Sequence, residues 1–206
     1  MEIVTGGGAA RVELDQPGTP AFLLVLTHGA GGTPDTPDVL AVRDAGLALG
    51  AVTAQVTQPY VVRGARAPGS ASRQDAAWAE IITALQEAHP GLPLVQGGRS
   101  NGARVGCRTA RAVGARGVIA LAFPLHPPGQ PERTRVGELS DAGTEVLVLN
   151  GDRDPFGVPE ESKTTHVVVL PGETHALSRN PAHIGEVVTG WLREVLASQQ
   201  GTRRRS

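Results

Sequence analysis

Short apolar runs along the chain alternate with longer stretches in which apolar positions recur at helical spacing. The runs Phe22–Thr27, Val52–Val56, Leu92–Gln96, Val118–Phe123, Glu145–Asn150 and His166–Leu170 have the length and aliphatic content of strands buried on both faces. Between them lie three helical stripes. Asp38–Leu49 carries Val39, Leu40, Val42 and Leu47; Arg73–Ala88 carries Ala77, Ile81, Ala84 and Leu85; Asn101–Val113 carries Ala103, Val105, Gly106 and Ala110. A last helix opens at Asn180-Pro181, an N-cap residue followed by proline at the first helical position, and presents Ile184, Val187, Val188, Trp191, Leu192 and Val195 as one stripe. The N-terminus fits a small hairpin, Glu2–Thr5 with Ala10–Leu14. This alternation predicts an α/β fold in which a mostly parallel, twisted sheet of about six to eight strands carries helices on both faces.

Composition narrows the function more than the fold. The 206 residues suit one domain, taken as residues 1–198, with 199–206 and its Arg203-Arg204-Arg205 run as a flexible, solvated basic tail. A net charge of −1 offers no field for a nucleic acid or an anionic membrane. At 3% aromatic residues, a base-stacking surface is also excluded and the core must be aliphatic. The lone Cys107 cannot form an internal disulfide, and no Cys/His spacing suits zinc, so neither metal nor cofactor is expected. Glu2 and Gly6-Gly7-Gly8 do not read as a secretory signal, and no apolar run reaches membrane-spanning length. A cytoplasmic protein acting on a small molecule is the expectation.

The chemistry concentrates at Gly98-Arg99-Ser100-Asn101-Gly102, which follows the strand-like run Leu92–Gln96 and opens a helical stripe. Flanking glycines allow a tight strand-to-helix turn that exposes the serine hydroxyl and frees the next N–H. In a chain with 27 glycines the pattern G-x-S-x-G also arises by chance, and Ser100 could be an ordinary turn or N-cap serine, so the argument needs partners. A serine hydroxyl becomes a nucleophile only beside a base whose tautomer is held by a third group. His175, in Pro171-Gly172-Glu173-Thr174-His175, follows the last strand-like run and is the candidate base. Asp154, in Asn150-Gly151-Asp152-Arg153-Asp154-Pro155-Phe156-Gly157, follows the run before it; Asp152 is its rival and reads better as a turn-capping carboxylate. The order Ser, Asp, His is the order an α/β hydrolase imposes.

A glycine-rich loop, Thr27-His28-Gly29-Ala30-Gly31-Gly32, follows the first central run and could bring a backbone N–H to a developing oxyanion. The expected donors are the amides of Asn101 and Ala30 or a neighbouring glycine. No Gly-Lys-Ser/Thr follows these glycines, and Pro34 interrupts the helix a dinucleotide site would require. His28 reads as a structural residue bonded to loop backbone. Two Pro/Gly/Ser-rich stretches, Ala65–Ser72 and Pro124–Pro131, should border the cleft, which makes His126 and Arg66 candidate substrate contacts, together with Gly29 of the glycine-rich loop. Arg63, Arg66 and Arg73 are either a solvated basic loop or a recognition surface for an acidic acyl group. Pro124–Asp141 can hold only a loop and one short helix, so no substantial lid is expected.

The HGAGG loop, GGRSNGAR elbow, FPLHPPGQPER segment, NGDRDPFG acid loop and GETHAL histidine loop resemble the small, lidless α/β hydrolases of the dienelactone-hydrolase-like clan. Within that clan they are most similar to the branch of the NSL-complex-subunit-like and testis-expressed small hydrolases. The resemblance spans Thr27 to Leu177. It implies an α/β-hydrolase fold, a Ser100–His175–Asp154 triad, and oxyanion donors at Asn101 and near Gly29–Ala30. Relatives commonly carry methionine where this chain has Asn101, which adds a polar side chain to the pocket wall. Dienelactone hydrolases proper use cysteine, so Ser100 argues against their substrate. The expected activity is cleavage of a small ester or thioester; a non-catalytic interaction module and an acyltransferase with the same triad are the alternatives.

Overall fold

The structure, a computed structural model, describes residues 1–198; the basic tail lies outside the described residues. Eight strands form one sheet in the order β1-β2-β4-β3-β5-β6-β7-β8. The first three in chain order are β1 (Glu2–Thr5), β2 (Gly8–Asp15) and β3 (Phe22–Thr27), followed by β4 (Ala51–Thr57) and β5 (Leu94–Arg99). The remainder are β6 (Gly117–Leu121), β7 (Glu145–Gly151) and β8 (Thr165–Leu170). β1 pairs antiparallel with β2, and β2 with β4, whereas every other pairing is parallel. The N-terminal hairpin is therefore part of the main sheet rather than an appendage.

Because the central strands are covered on both faces, alternate side chains feed two cores. From β3, Leu23 and Val25 meet Trp78, Ile81 and Ile82 of α3 (Ala71–Ala88) and Val105 of α4 (Asn101–Thr109). Phe22, Leu24 and Leu26 face the other way, toward Val39 and Val42 of α1 (Pro37–Ala48) and Ile184, Val188 and Trp191 of α6 (Pro181–Ala197). The Asn180 carboxamide accepts the His183 N–H at 3.2 Å, the cap its position before Pro181 predicts. Two short helices complete the chain: α2 (Pro59–Val62), which the apolar pattern does not reveal, and α5 (Val136–Ser140) within the segment expected to hold one.

Among the strands the largest boundary shift concerns β5, which starts at Leu94 and continues through Gly97 and Gly98 to Arg99. Pro93 cannot donate to the ladder, although its carbonyl still accepts the Leu23 N–H at 2.8 Å. The two glycines have low strand propensity and so fall outside an apolar-run reading. Packing demands them: a Cβ at Gly98 would lie 3.1 Å from the backbone of Gly102 in α4. The helix expected over Asn101–Val113 ends at Thr109. β6 stops at Leu121, and the chain then turns through Ala122, whose φ is +47°.

Candidate active site

β5 delivers its last residue, Arg99, to the C-terminal edge of the sheet, and Ser100 turns the chain into α4 with φ 54° and ψ −112°. A non-glycine residue there carries strain of order 1–3 kcal/mol, held by the surrounding structure. Ser100 N–H donates to the Leu121 carbonyl at 2.8 Å, tying the turn to the neighbouring strand. Gly102 allows the close approach behind it: a Cβ would sit 2.7 Å from the His28 carbonyl oxygen and 2.8 Å from the Thr27 methyl.

His175 arrives from the loop after β8 and Asp154 from the loop after β7. The Ser100 hydroxyl lies 2.9 Å from His175 Nε2, and His175 Nδ1 lies 2.8 Å from Asp154 Oδ2. A carboxylate can only accept, so Nδ1–H donates to Asp154, and Nε2 is left to accept the serine proton. The Asp154 side chain is fully buried, and its other oxygen accepts the Phe156 N–H at 2.9 Å. The Phe156 ring packs on the imidazole with centroids 4.4 Å apart. Asp152, its rival in the sequence, instead accepts the Gly172 N–H at 2.7 Å and clasps two loops together.

The glycine-rich loop passes directly beside the serine, where a Cβ at Gly29 would be 3.2 Å from that of Ser100. Its Gly29 carbonyl is turned inward, accepting from His28 Nδ1 at 2.8 Å, the Tyr60 hydroxyl at 3.3 Å and the Gly32 N–H at 3.2 Å. His28 Nε2 accepts the Gln58 N–H at 2.9 Å, which fixes the proton on Nδ1. Burial pushes the His28 pKa down, with the bond to the Gly29 carbonyl partly opposing it. Across a trans peptide the Ala30 N–H points opposite to the clamped Gly29 carbonyl, away from the interior. Asn101 opens α4, where the first N–H groups have no acceptor within the helix. Its side chain is engaged elsewhere, donating to Gln74 Oε1 at 2.7 Å.

The remaining candidates sit further out. His126 packs on the acid loop, its N–H donating to the Phe156 carbonyl at 3.0 Å and its Nδ1 to Pro127 O at 2.9 Å. Arg66 is exposed, on a loop whose backbone abuts Gly31. Arg63 is exposed too and bonds the Gly7 carbonyl at 2.7 Å. Beside Asn101 a cavity of about 640 Å³ opens between the β1–β2 turn, α2 and α3, lined by Gln58, Tyr60, Arg63, Arg73, Gln74 and Trp78 among others. Cys107 is buried in α4, where burial pushes its thiol up to about 12. It behaves as packing.

Several residues that organise the site lie inside the quoted motifs, but their roles carry no sequence signal. Asn150 brackets Phe123, accepting its N–H at 2.9 Å and donating to its carbonyl at 3.1 Å, while also reaching Gly157 O at 3.0 Å. Buried Glu173 accepts the N–H groups of Ser178, Arg179 and Asn180 at 3.1, 2.7 and 3.0 Å, which fastens the chain after His175. Arg99 donates to the His175 carbonyl at 2.6 Å and pairs with Asp38 at 3.2 Å. Only the end points of these bonds are visible in the sequence, never the folding that joins them.

A family profile described as Alpha/beta hydrolase domain matches residues 20–179, and the chain belongs to that family. The fold is similar to that of a lidless α/β serine hydrolase from Xanthomonas campestris, at 19% identity and TM-score 0.79, covering 96% of this chain and 94% of that one. Est1E from Butyrivibrio proteoclasticus is similar at 18% identity and TM-score 0.78, covering 96% and 98%. A dienelactone hydrolase from Anabaena variabilis follows the same fold at 15% identity and TM-score 0.74, covering 94% and 95%. No curated protein sequence matches the chain. The Xanthomonas protein is described as lacking a lid. Among the described residues here, the segment from Ala122 to Gly143 forms only a loop and the five-residue α5. Among the described residues no helix is long and apolar enough to cross a membrane.

Proposed function

We propose that the protein is a serine hydrolase that cleaves small ester or thioester bonds through an acyl-enzyme. The observation that carries this reading is the unbroken hydrogen-bonded line from Ser100 through His175 to a buried Asp154, at 2.9 and 2.8 Å. Ser100 Oγ attacks the carbonyl carbon while His175 Nε2 takes its proton, and Asp154 stabilises the resulting imidazolium. The oxyanion meets the N–H groups of Asn101 and Ala30. The tetrahedral intermediate collapses as the imidazolium gives its proton to the departing alcohol or thiol. Water, deprotonated by the same imidazole, then releases the acid and restores Ser100.

Several features support a small substrate. Without a lid, little of a long acyl chain would be removed from water, so short-chain esters gain relative to triglycerides. A solved complex of Est1E with ferulic acid comes from a structural neighbour at 17% identity, a precedent on this fold for a small carboxylic acid ligand. Arg66 and His126 remain candidates for the outer part of the substrate site. The motif resemblance to the NSL-complex-subunit-like and testis-expressed branch, and a cytoplasmic setting, belong to this proposal. Labelling by a fluorophosphonate at neutral pH tests it. Stoichiometric modification of the wild type, absent in Ser100→Ala with an unchanged melting temperature, is the expected result. A wild type that stays unlabelled and turns over no member of a short-chain ester and thioester panel would overturn the reading in favour of an interaction module.

A further inference from the structure

Arg99, the residue immediately before Ser100, does not lie on the protein surface as a strand-end arginine commonly does. Its side chain is 19% exposed and runs between three segments. One guanidinium nitrogen donates to the His175 carbonyl at 2.6 Å. Nε sits 3.2 Å from Asp38 Oδ2, on the second residue of α1. Nη1 lies close to the glycine-rich loop, 3.6 Å from where a Cβ at Gly29 would stand. The Asp38 side chain is wholly buried, and neither of its oxygens makes an aligned hydrogen bond. Burial pushes its pKa up; the Thr36 hydroxyl and the Arg99 charge act in the opposite direction.

A buried ion pair is a poor source of stability, because desolvating both charges offsets most of their attraction. The position of this pair gives it another use. Among the described residues, the Arg99 bond is the one hydrogen bond made by the main chain of His175. The bond ties the base to the residue adjoining the nucleophile. With the guanidinium also held beside Asp38, displacement of the histidine loop relative to the elbow works against this bond.

We propose that Arg99 is a positioning residue that holds His175 in register with Ser100, and that Asp38 orients the Arg99 guanidinium for that task. The inference rests on the serine-hydrolase reading, and it adds a specific coupling between the elbow, α1 and the histidine loop. Without the clamp, His175 keeps its bonds to Ser100 and Asp154 only as one conformation among several. A misplacement of about 1 Å is enough to cost on the order of 100-fold in rate.

The test is a set of variants: Arg99→Met, Asp38→Asn and the double variant. Each is followed by melting temperature, kcat and KM on a short activated ester, and the rate of fluorophosphonate labelling. Arg99→Met alone strands a buried carboxylate and is expected to melt early. The double variant removes both charges and should recover most of that stability. If the pair only stabilises the fold, activity recovers with it. If Arg99 positions the base, the double variant keeps kcat reduced by roughly 30- to 100-fold, with KM within about twofold and labelling slowed in proportion. A double variant that folds and labels within threefold of the wild type overturns the clamp, whereas a wild type that never labels overturns the hydrolase reading instead. Should the double variant fail to fold, Arg99→Lys decides. It retains a charge beside Asp38 but loses the fork that reaches His175, so full wild-type kcat in Arg99→Lys also overturns the proposal.

Discussion

Asp154→Asn offers a demanding test of the proposed mechanism, because the geometry around Asp154 dictates how the new carboxamide must sit. Oδ1 accepts the Phe156 N–H at 2.9 Å and Oδ2 accepts His175 Nδ1–H at 2.8 Å. Keeping the Phe156 bond requires the asparagine oxygen at the Oδ1 position, which turns the NH2 toward the imidazole. Nδ1 must then accept, the ring proton moves to Nε2, and the serine loses its base. That tautomer error costs about 10⁴-fold in serine proteases of another fold, equivalent to about 5.5 kcal/mol at 1.36 kcal/mol per decade.

Flipping the carboxamide avoids the wrong tautomer but sets two N–H donors against each other, at roughly 1–3 kcal/mol for the unsatisfied group. It also replaces a charged acceptor opposite the imidazolium by a neutral one, roughly 1.5–3 kcal/mol more. Both routes converge on a loss of about 10²- to 10⁴-fold in kcat. Hydrolysis of a short activated ester, with thermal melting in parallel, measures it. Activity within tenfold of wild type in a variant that melts normally would refute the assignment of Asp154 as the orienting acid.

Gly102→Ala should lower the melting temperature and activity together: its Cβ would meet the His28 carbonyl at 2.7 Å, and overpacking of about 1–3 kcal/mol outweighs the roughly 1 kcal/mol helix preference for alanine. Gly190→Ala, in α6 with nothing within 4 Å of the added methyl, is the contrasting control and should stabilise by about 0.5–1 kcal/mol. Equal melting temperatures for the two would contradict the packing argument. Buried His28, whose pKa is lowered in the fold from 6.5, leaves the unfolded chain binding the proton first as pH falls. Stability contributed by its neutral form is therefore complete above pH 6.5 and declines from there down to the lowered folded value. Urea midpoints at pH 7 and pH 5 should fall further for wild type than for His28→Gln; parallel slopes would remove His28 as the source.

Local signals were legible wherever the polypeptide had to satisfy a one-dimensional constraint. Runs such as Phe22–Leu26 are apolar throughout because both faces of β3 are covered, and that property is written residue by residue. Asn180-Pro181 starts α6 by capping chemistry that involves neighbours within one turn. The G-x-S-x-G turn is similar in being readable as a short pattern, although what forbids a side chain at 98 and 102 is the approach of Thr27 and His28 from the neighbouring strand. These features determined the fold class and nominated Ser100, Asp154 and His175.

The exact extent of β5 escaped, since Gly97 and Gly98 were selected by what packs on the strand and not by strand propensity. Nor could the sequence show that Arg99 reaches a carbonyl 76 positions away, that Glu173 gathers three N–H groups, or that the Gly29 carbonyl is clamped by His28, Tyr60 and Gly32. Such bonds depend on which strands become neighbours and on where their C-terminal ends meet. Residue type sets what a side chain can do, whereas only the sheet order brings an arginine after β5 beside a histidine after β8 and an aspartate opening α1. Composition and spacing thus supplied the parts of this protein's site, and the tertiary structure alone decided their distances, because hydrogen bonding and desolvation act through space rather than along the chain.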